Sequence, residues 1–416
     1  MSNGNLSRRS LLASAAAVGS VIGLGRPATA LATSGSDTVN TEPFYGPHQS
    51  GILTEQQRHT YFAAFDVIAT NRADLVTLLQ TWTTAAARLT SGQLVSPESG
   101  GGYDASAQIP DSGETIGLGP ARLTLTFGFG PELFIKGGQD RFNLSARRPE
   151  ALVTLPTFVG DKMIPSKTGG ELSVQACADD PQVAFHAVRQ LARLGSGAAQ
   201  LRWVQSGFLS PPDAHGTPRN LMGFKDGTET VTDPNRYVWA GNEAPRWMQG
   251  GSYVVARRIR IVLEHWDKMK LSFQEQTIGR QKLSGAPIGM KNEFDALPLD
   301  ATDEDGNPVI AENAHVRLAD PSTNNGAEIL RRGYSYNDGI DFTTERWPPW
   351  RQGMEYDAGL LFVCYQRDPR TAFISIFDKM SKIDMLNQFT THTGGGIFAC
   401  PRGVKPGEYI GQDLFA

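Results

Sequence analysis

The stretch ELSVQACADDPQVAFHAVRQLARLG, Glu171–Gly195, decides the fold because two periodicities meet inside it. As far as Ala178 it is short, largely apolar and bounded like a strand. Asp180 then stands where a helix N-cap belongs, and Pro181 where its fixed φ suits the first helical position. Ala184, Ala187, Val188 and Leu191 follow at helical spacing. The unit is strand, cap, helix, and AQLRWVQSGF, residues 199–208, supplies a closing strand. Upstream, TYFAAFDVIA from Thr60 has the apolar content of a strand. RADLVTLLQTWTTAAARL from Arg72 repeats Leu75, Leu78, Leu79, Trp82, Ala86 and Leu89 along one helical face. ARLTLTFGFGPELF from Ala121 alternates Leu123, Leu125 and Phe127 as a half-buried strand does. The order β-α-β-β-α-β is the ferredoxin-like arrangement.

The rest of the chain repeats that order more weakly. GSYVVARRIRIVL from Gly251 reads as a strand, His265 to Ile278 as a helix, EILRRGYSY from Glu328 as a strand, and GLLFVCYQRDPRTAFISIFDKM from Gly359 as strand, cap and helix. Asp368 and Pro369 occupy the places of Asp180 and Pro181, with Phe373 and Phe185 four residues beyond each proline. GGGIFACP, residues 394–401, would close the second set. Duplication accounts for the match, although an Asp-Pro pair also starts many unrelated helices. At 416 residues and roughly 100 to 200 residues per domain, two domains are expected. The Pro- and Gly-rich LSPPDAHGTPRN from Leu209 marks the boundary. The fold class is therefore α+β, with ferredoxin-like domains at 52–212 and 213–416 and antiparallel sheets. A long irregular insertion, about 285–325, interrupts the second; such segments in compact domains are usually functional or disordered.

Composition is that of an ordinary globular protein, 40% hydrophobic and 20% charged with a formal net charge of -4, so nothing draws it to nucleic acid. Cys177, Cys364 and Cys400 are too few and too scattered for a disulfide framework or a CxxC metal site and read as buried small apolar side chains. SRRSLLASAAAVGSVIGLGRPATA places Arg8 and Arg9 before a short Ala, Gly and Leu run that ends in Ala28-Thr29-Ala30. That pattern reads as a twin-arginine export signal over 1–30 rather than a membrane anchor, for which the apolar run is too short, and export to the periplasm, envelope or exterior is expected. An extended arm over 31–51 follows.

Phosphate loops, HExxH and GxSxG elbows do not occur, and the seven histidines include no pair at i+3 or i+4 that would build a zinc site on one helix. A lone axial histidine remains open as a haem ligand. His315, in AENAHVRLADP inside the long insertion, is the candidate, against the commoner case of a solvated loop histidine. Asp226-Gly227 by itself reads as a turn.

GFKDGTE from Gly223, HVRLADP from His315 and RRGYSY from Arg331, with PFYGPHQSGI near the start and LLFVCYQ near the end, closely resemble the dye-decolourising peroxidases, in particular their exported deferrochelatase/peroxidase branch. The resemblance covers essentially the whole chain after the signal. It implies two ferredoxin-like domains and haem b held mainly by the second. It further implies His315 as the axial ligand to iron, with Asp226 and Arg331 together on the opposite, distal face. Gly227, Thr228 and Glu229 are implied as haem contacts, as are Asp320, Pro321 and Ser322. The family often has arginine where Ser322 stands. For the group that orients the axial histidine, Gln388 is the best local match, with Asp368 or a backbone carbonyl as alternatives.

The implied activity is reduction of hydrogen peroxide at the expense of small aromatic or dye-like donors. Asp226 would shuttle the proton and Arg331 would stabilise charge on the leaving oxygen. Trp347, Trp350, Tyr334 and Tyr336 are candidates to pass electrons from bulky donors, set against the commoner role of packing in a core. Two other readings use the same cofactor: a deferrochelatase that takes iron from haem and leaves the tetrapyrrole intact, and a non-enzymatic haem carrier in iron uptake.

Overall fold

The computed structural model describes residues 40–96, 109–210, 216–228, 230, 231, 233–341 and 355–416. The expected signal, Glu229, Trp347 and Trp350 lie outside the described residues. Residues 39–416 cluster as one compact unit, and among the described residues no helix is long and apolar enough to cross a membrane.

The first half runs β1 (His59–Val67), α1 (Arg72–Thr90), β2 (Thr124–Phe129), β3 (Leu172–Ala178), α2 (Pro181–Leu194) and β4 (Ala199–Phe208). The cap read from the sequence is present: Asp180 Oδ1 accepts from the backbone N–H groups of Gln182 at 2.7 Å and Val183 at 3.1 Å. Such a cap contributes about 1 kcal/mol. On α1 the stripe from Leu75 to Leu89 is buried. Trp82 anchors it to α2 by donating its indole N–H to the Leu191 carbonyl at 2.8 Å.

The second half runs β5 (Ser252–Ile261), α3 (Leu263–Trp266), α4 (Leu271–Ile278), α5 (His315–Ala319), β6 (Leu330–Arg331), β7 (Tyr334–Asp341), β8 (Glu355–Gln366), α6 (Phe373–Ile383) and β9 (Thr390–Cys400). Three details depart from expectation. The helix expected over 265–278 is broken after Trp266, which is fully buried; its carbonyl accepts from the Met269 N–H at 3.0 Å and from the Gln274 amide at 2.9 Å. The strand expected over 328–336 is split by Arg332-Gly333. Asp368 and Pro369 do not start the following helix. Asp368 is used by Arg370, whose N–H and guanidinium it accepts at 2.9 and 2.8 Å, and α6 begins at Phe373, whose N–H is taken by Gln366 Oε1 at 2.9 Å. The two phenylalanines also part company, Phe185 being exposed and Phe373 buried.

The strands form one antiparallel sheet in the order β5-β9-β2-β3-β1-β4-β7-β8-β6, and β5 also pairs with β8, so the sheet closes into a barrel. The two halves meet at narrow seams, Phe129 opposite Ala399 and Phe208 opposite Ser335. Closure explains why β2 is buried along its whole length rather than half-buried. Leu125, Phe127 and Phe129 pack under the helices, whereas the inner face is met by the N-terminal arm.

That arm is built into the barrel. Gln49 donates to the carbonyls of Phe127 at 3.0 Å and Pro401 at 2.9 Å, and Thr126 Oγ1 donates to the Ser50 carbonyl at 2.6 Å. At Gly51 φ is +90, and a Cβ there would lie 2.5 Å from Thr126 Oγ1, so both the turn and the close approach need glycine. Ile52 then joins Phe62, Trp203, Val254, Leu361 and Phe398 in an inner cluster drawn from both halves. Cys177, Cys364 and Cys400 are free and buried, as read.

Candidate active site

Asp226 sits on a loop tied to itself. The Asp226 N–H donates to the Pro218 carbonyl at 2.9 Å and the Asn220 N–H to the Phe224 carbonyl at 2.9 Å. Asn220 Oδ1 accepts from the backbone N–H groups of Met222 at 3.0 Å and Phe224 at 3.2 Å. Gly227 continues the chain at φ +118, a conformation open to glycine at little cost. This is a turn, as an Asp-Gly pair suggests, but the aspartate's side chain is not spent on it. Asp226 Oδ1 accepts from Arg331 Nη1 at 3.1 Å, and Oδ2 has a long 3.5 Å contact with Asn220 Nδ2. The Asp226 and Arg331 side chains keep 31% and 39% of their exposure.

Arg331 arrives from the opposite direction, on β6, registered against Cys364 of β8. Asp226, Gly227 and Arg331 line one cavity with Asn220, Leu53 and Leu360. Leu53 follows directly on the arm, and the part of this stretch in the cavity wall was not read from the sequence.

His315 opens α5, where backbone N–H groups are free of helical partners. Its Nδ1 lies 2.7 Å from Asp384 Oδ2. Asp384 closes α6 and caps the next turn, its Oδ1 accepting from the Leu386 N–H at 2.8 Å, and its side chain is only 3% exposed. With both oxygens committed, the carboxylate fixes the Nδ1–H tautomer and leaves Nε2 as the free lone pair. The His315 side chain retains 34% exposure. Burial works to lower the imidazolium pKa, but the Asp384 carboxylate outweighs it and the net shift is upward. The charges of Arg331 and Asp226 reach the same ring more weakly, the first lowering and the second raising.

Asp384 corrects the expected orienting groups. Gln388 lies four residues beyond it, and Asp368 is held by Arg370. An aspartate after a helix looks like an ordinary cap in sequence, and this one is a cap as well.

Among the remaining expected contacts, Thr228 Oγ1 donates to Glu293 Oε1 at 2.9 Å. Asp320 caps a short turn over Pro321–Thr323, accepting from Ser322 N at 2.8 Å and Ser322 Oγ at 2.5 Å. That turn directly follows α5, so it shares the His315 segment rather than the Asp226 cavity. Tyr334 and Tyr336 are buried inside the barrel.

An imidazole with Nδ1 anchored and Nε2 free is a residue that would hold the iron of a haem. Among the described residues no group of three His, Cys, Asp or Glu side chains is placed to cage a bare metal ion.

Comparison with known proteins agrees along the chain. Residues 49–209 match the family model of the Dyp-type peroxidase N-terminal region, and residues 217–405 that of the C-terminal region. The dye-decolorizing peroxidase of Thermobifida fusca is 39% identical over 83% of this chain and 76% of its own length. The deferrochelatase of Escherichia coli K12 is 36% identical over 90% of this chain and 87% of its own. Among solved structures, an oxyferrous/water complex of DtpA from Streptomyces lividans superposes with a TM-score of 0.81 at 39% identity, covering 90% of this chain and 98% of that one.

Proposed function

The chain belongs to the Dyp-type peroxidase family, and on that premise we propose that Asp226 carries the proton, Arg331 stabilises charge and His315 binds iron in its reduction of hydrogen peroxide. The enzyme is a haem-dependent peroxidase. Haem b, when bound, supplies the redox-active iron that peroxide oxidises and an electron donor restores.

The protein's own work is acid-base and electrostatic. Asp226 Oδ2, the oxygen less engaged by Arg331, takes the proton from the near oxygen of peroxide and returns it to the far oxygen, which leaves as water. The Arg331 guanidinium lowers the energy of the negative charge that grows on the leaving oxygen. Asp384 holds His315 in one tautomer and makes its Nε2 a stronger donor. Gly227, Thr228, Glu229, Asp320, Pro321 and Ser322 are proposed to border the macrocycle, with a side-chain hydroxyl at Ser322 in place of a guanidinium.

The observation that carries this reading is the meeting of two independent pairs. Asp226 with Arg331, 3.1 Å apart, and His315 with Asp384, 2.7 Å apart, are drawn from four separate segments. Substitution tests it. Asp226→Asn is expected to retain hemin with an intact Soret band while slowing its reaction with peroxide by roughly 10² to 10⁴. Arg331→Leu is expected to slow it by about 10² to 10³. Unchanged stopped-flow rates in both variants would remove the distal assignment.

Relatives named deferrochelatases favour a second reading, iron release from haem with the tetrapyrrole intact. Accumulation of protoporphyrin IX from haem under reducing conditions, with peroxide turnover negligible, would make that the main role. Aromatic donors and twin-arginine export complete the proposal; Arg8→Lys with Arg9→Lys is expected to hold the protein in the cytoplasm.

A further inference from the structure

Asp226 and Gly227 lie between two side chains that end on the same carboxylate. Lys225 Nζ is 2.5 Å from Glu293 Oε2, and Thr228 Oγ1 donates to Glu293 Oε1 at 2.9 Å. The Thr217 hydroxyl bonds to the same group. The Lys225 and Glu293 side chains are 6% and 7% exposed, so the pair stands largely out of water, where losing one partner leaves the other charge uncompensated. Burial pushes the Glu293 carboxyl pKa up, yet Lys225 and the two hydroxyls more than offset it and hold the group below the usual range.

Glu293 comes from the long insertion, and its backbone is fixed there. Arg280 Nη1 donates to the carbonyls of Glu293 at 2.8 Å and Gly285 at 3.0 Å. Gly285 has φ +78, and a Cβ on it would stand 2.7 Å from Lys225 Cδ and 3.3 Å from Glu293 Cγ. Bare backbone is what lets the insertion close over the ion pair.

We propose that Glu293 is a positioning residue for the proton carrier, pinning the chain on both sides of Asp226-Gly227 and holding the Lys225 ammonium so that the Asp226 carboxylate answers to Arg331 and peroxide. This rests on Asp226 being the proton carrier. A lysine is a compact charge on a flexible stem. Released from Glu293, the Lys225 ammonium has the adjacent Asp226 carboxylate within its reach.

The test uses hemin-loaded enzyme together with amide hydrogen exchange on the hemin-free chain. Glu293→Gln is expected to bind hemin normally, to react with peroxide about 10-fold more slowly, and to exchange amides over 217–228 about 10-fold faster without a matching change elsewhere. Lys225→Met combined with Glu293→Gln removes the freed ammonium without restoring the pin, so it is expected to recover part of the peroxide rate while exchange over 217–228 stays fast, a split that a merely structural role would not give. If Glu293→Gln does not fold, Glu293→Asp, one methylene short of both partners, carries the same expectations. Wild-type rate and exchange in Glu293→Gln, or a double variant no faster than the single, would overturn the proposal. A wild-type rate in Asp226→Asn instead removes the proton carrier itself, whatever the loop exchange shows.

Discussion

The two halves of the barrel fold the same β-α-β-β-α-β order and use it differently. In the first half β1 passes to α1 in a short turn, and the buried stripe of α1 and the capped start of α2 serve packing. In the second half the link between β5 and β6 holds α3, α4, the insertion with Glu293, and α5 with His315. Arg331 stands where that link returns to the sheet, Asp384 where α6 ends, and Asp226 on the loop that joins the halves. The shared order is a frame, and the proposed chemistry lies where the second half has the longer connection.

That contrast can be broken by substitutions on either side. Trp82→Ala, in the first half, is expected to cost roughly 3 to 5 kcal/mol of stability, measured by denaturant unfolding, while the folded fraction keeps its hemin affinity; a large loss of affinity in folded protein would blur the division. His315→Ala is expected to lower hemin affinity by about 100-fold or more with little change in unfolding of the hemin-free chain, and hemin titration at the Soret band checks it. Asp384→Asn should weaken the same affinity by roughly 10- to 100-fold, because the amide cannot match a carboxylate in fixing and polarising His315. The smallest pair compares the two Asp-Pro sites. Asp180→Ala is expected to cost about 1 kcal/mol and Asp368→Ala less than about 0.5 kcal/mol; equal costs would restore the symmetry that the structure denies.

Periodic features were legible in the sequence. The stripe from Leu75 to Leu89, the Asp180 cap and the boundaries of β4 needed no partner elsewhere in the chain to be read. The site was legible in a different way: Asp226, Arg331 and His315 stood out through motifs resembling a family, since an Asp-Gly turn and a loop histidine are mute on their own. What escaped depended on contacts between distant segments. Asp384 reaches His315 across 69 residues, Glu293 reaches Lys225 across 68, and Gln366 rather than Asp368 receives the first N–H of α6. The stretch over 31–51 was read only as an extended arm because Gln49 and Gly51 make sense only beside β2. Fold class was read correctly as α+β with ferredoxin-like halves; closure of the barrel was not read, because each seam is a single residue pair.

Those narrow seams set the order of assembly. Phe129 waits for Ala399, 270 residues further along the chain (399 − 129), and Phe208 for Ser335, 127 further (335 − 208), so until those partners are made β2 and β4 each keep a bare edge open to pairing with a neighbouring molecule. Such distant partners also meet slowly, because the entropy of drawing them together is spent before their contacts repay it. Shutting the ring is therefore expected late in folding, and a fragment holding one half alone would keep two sticky margins.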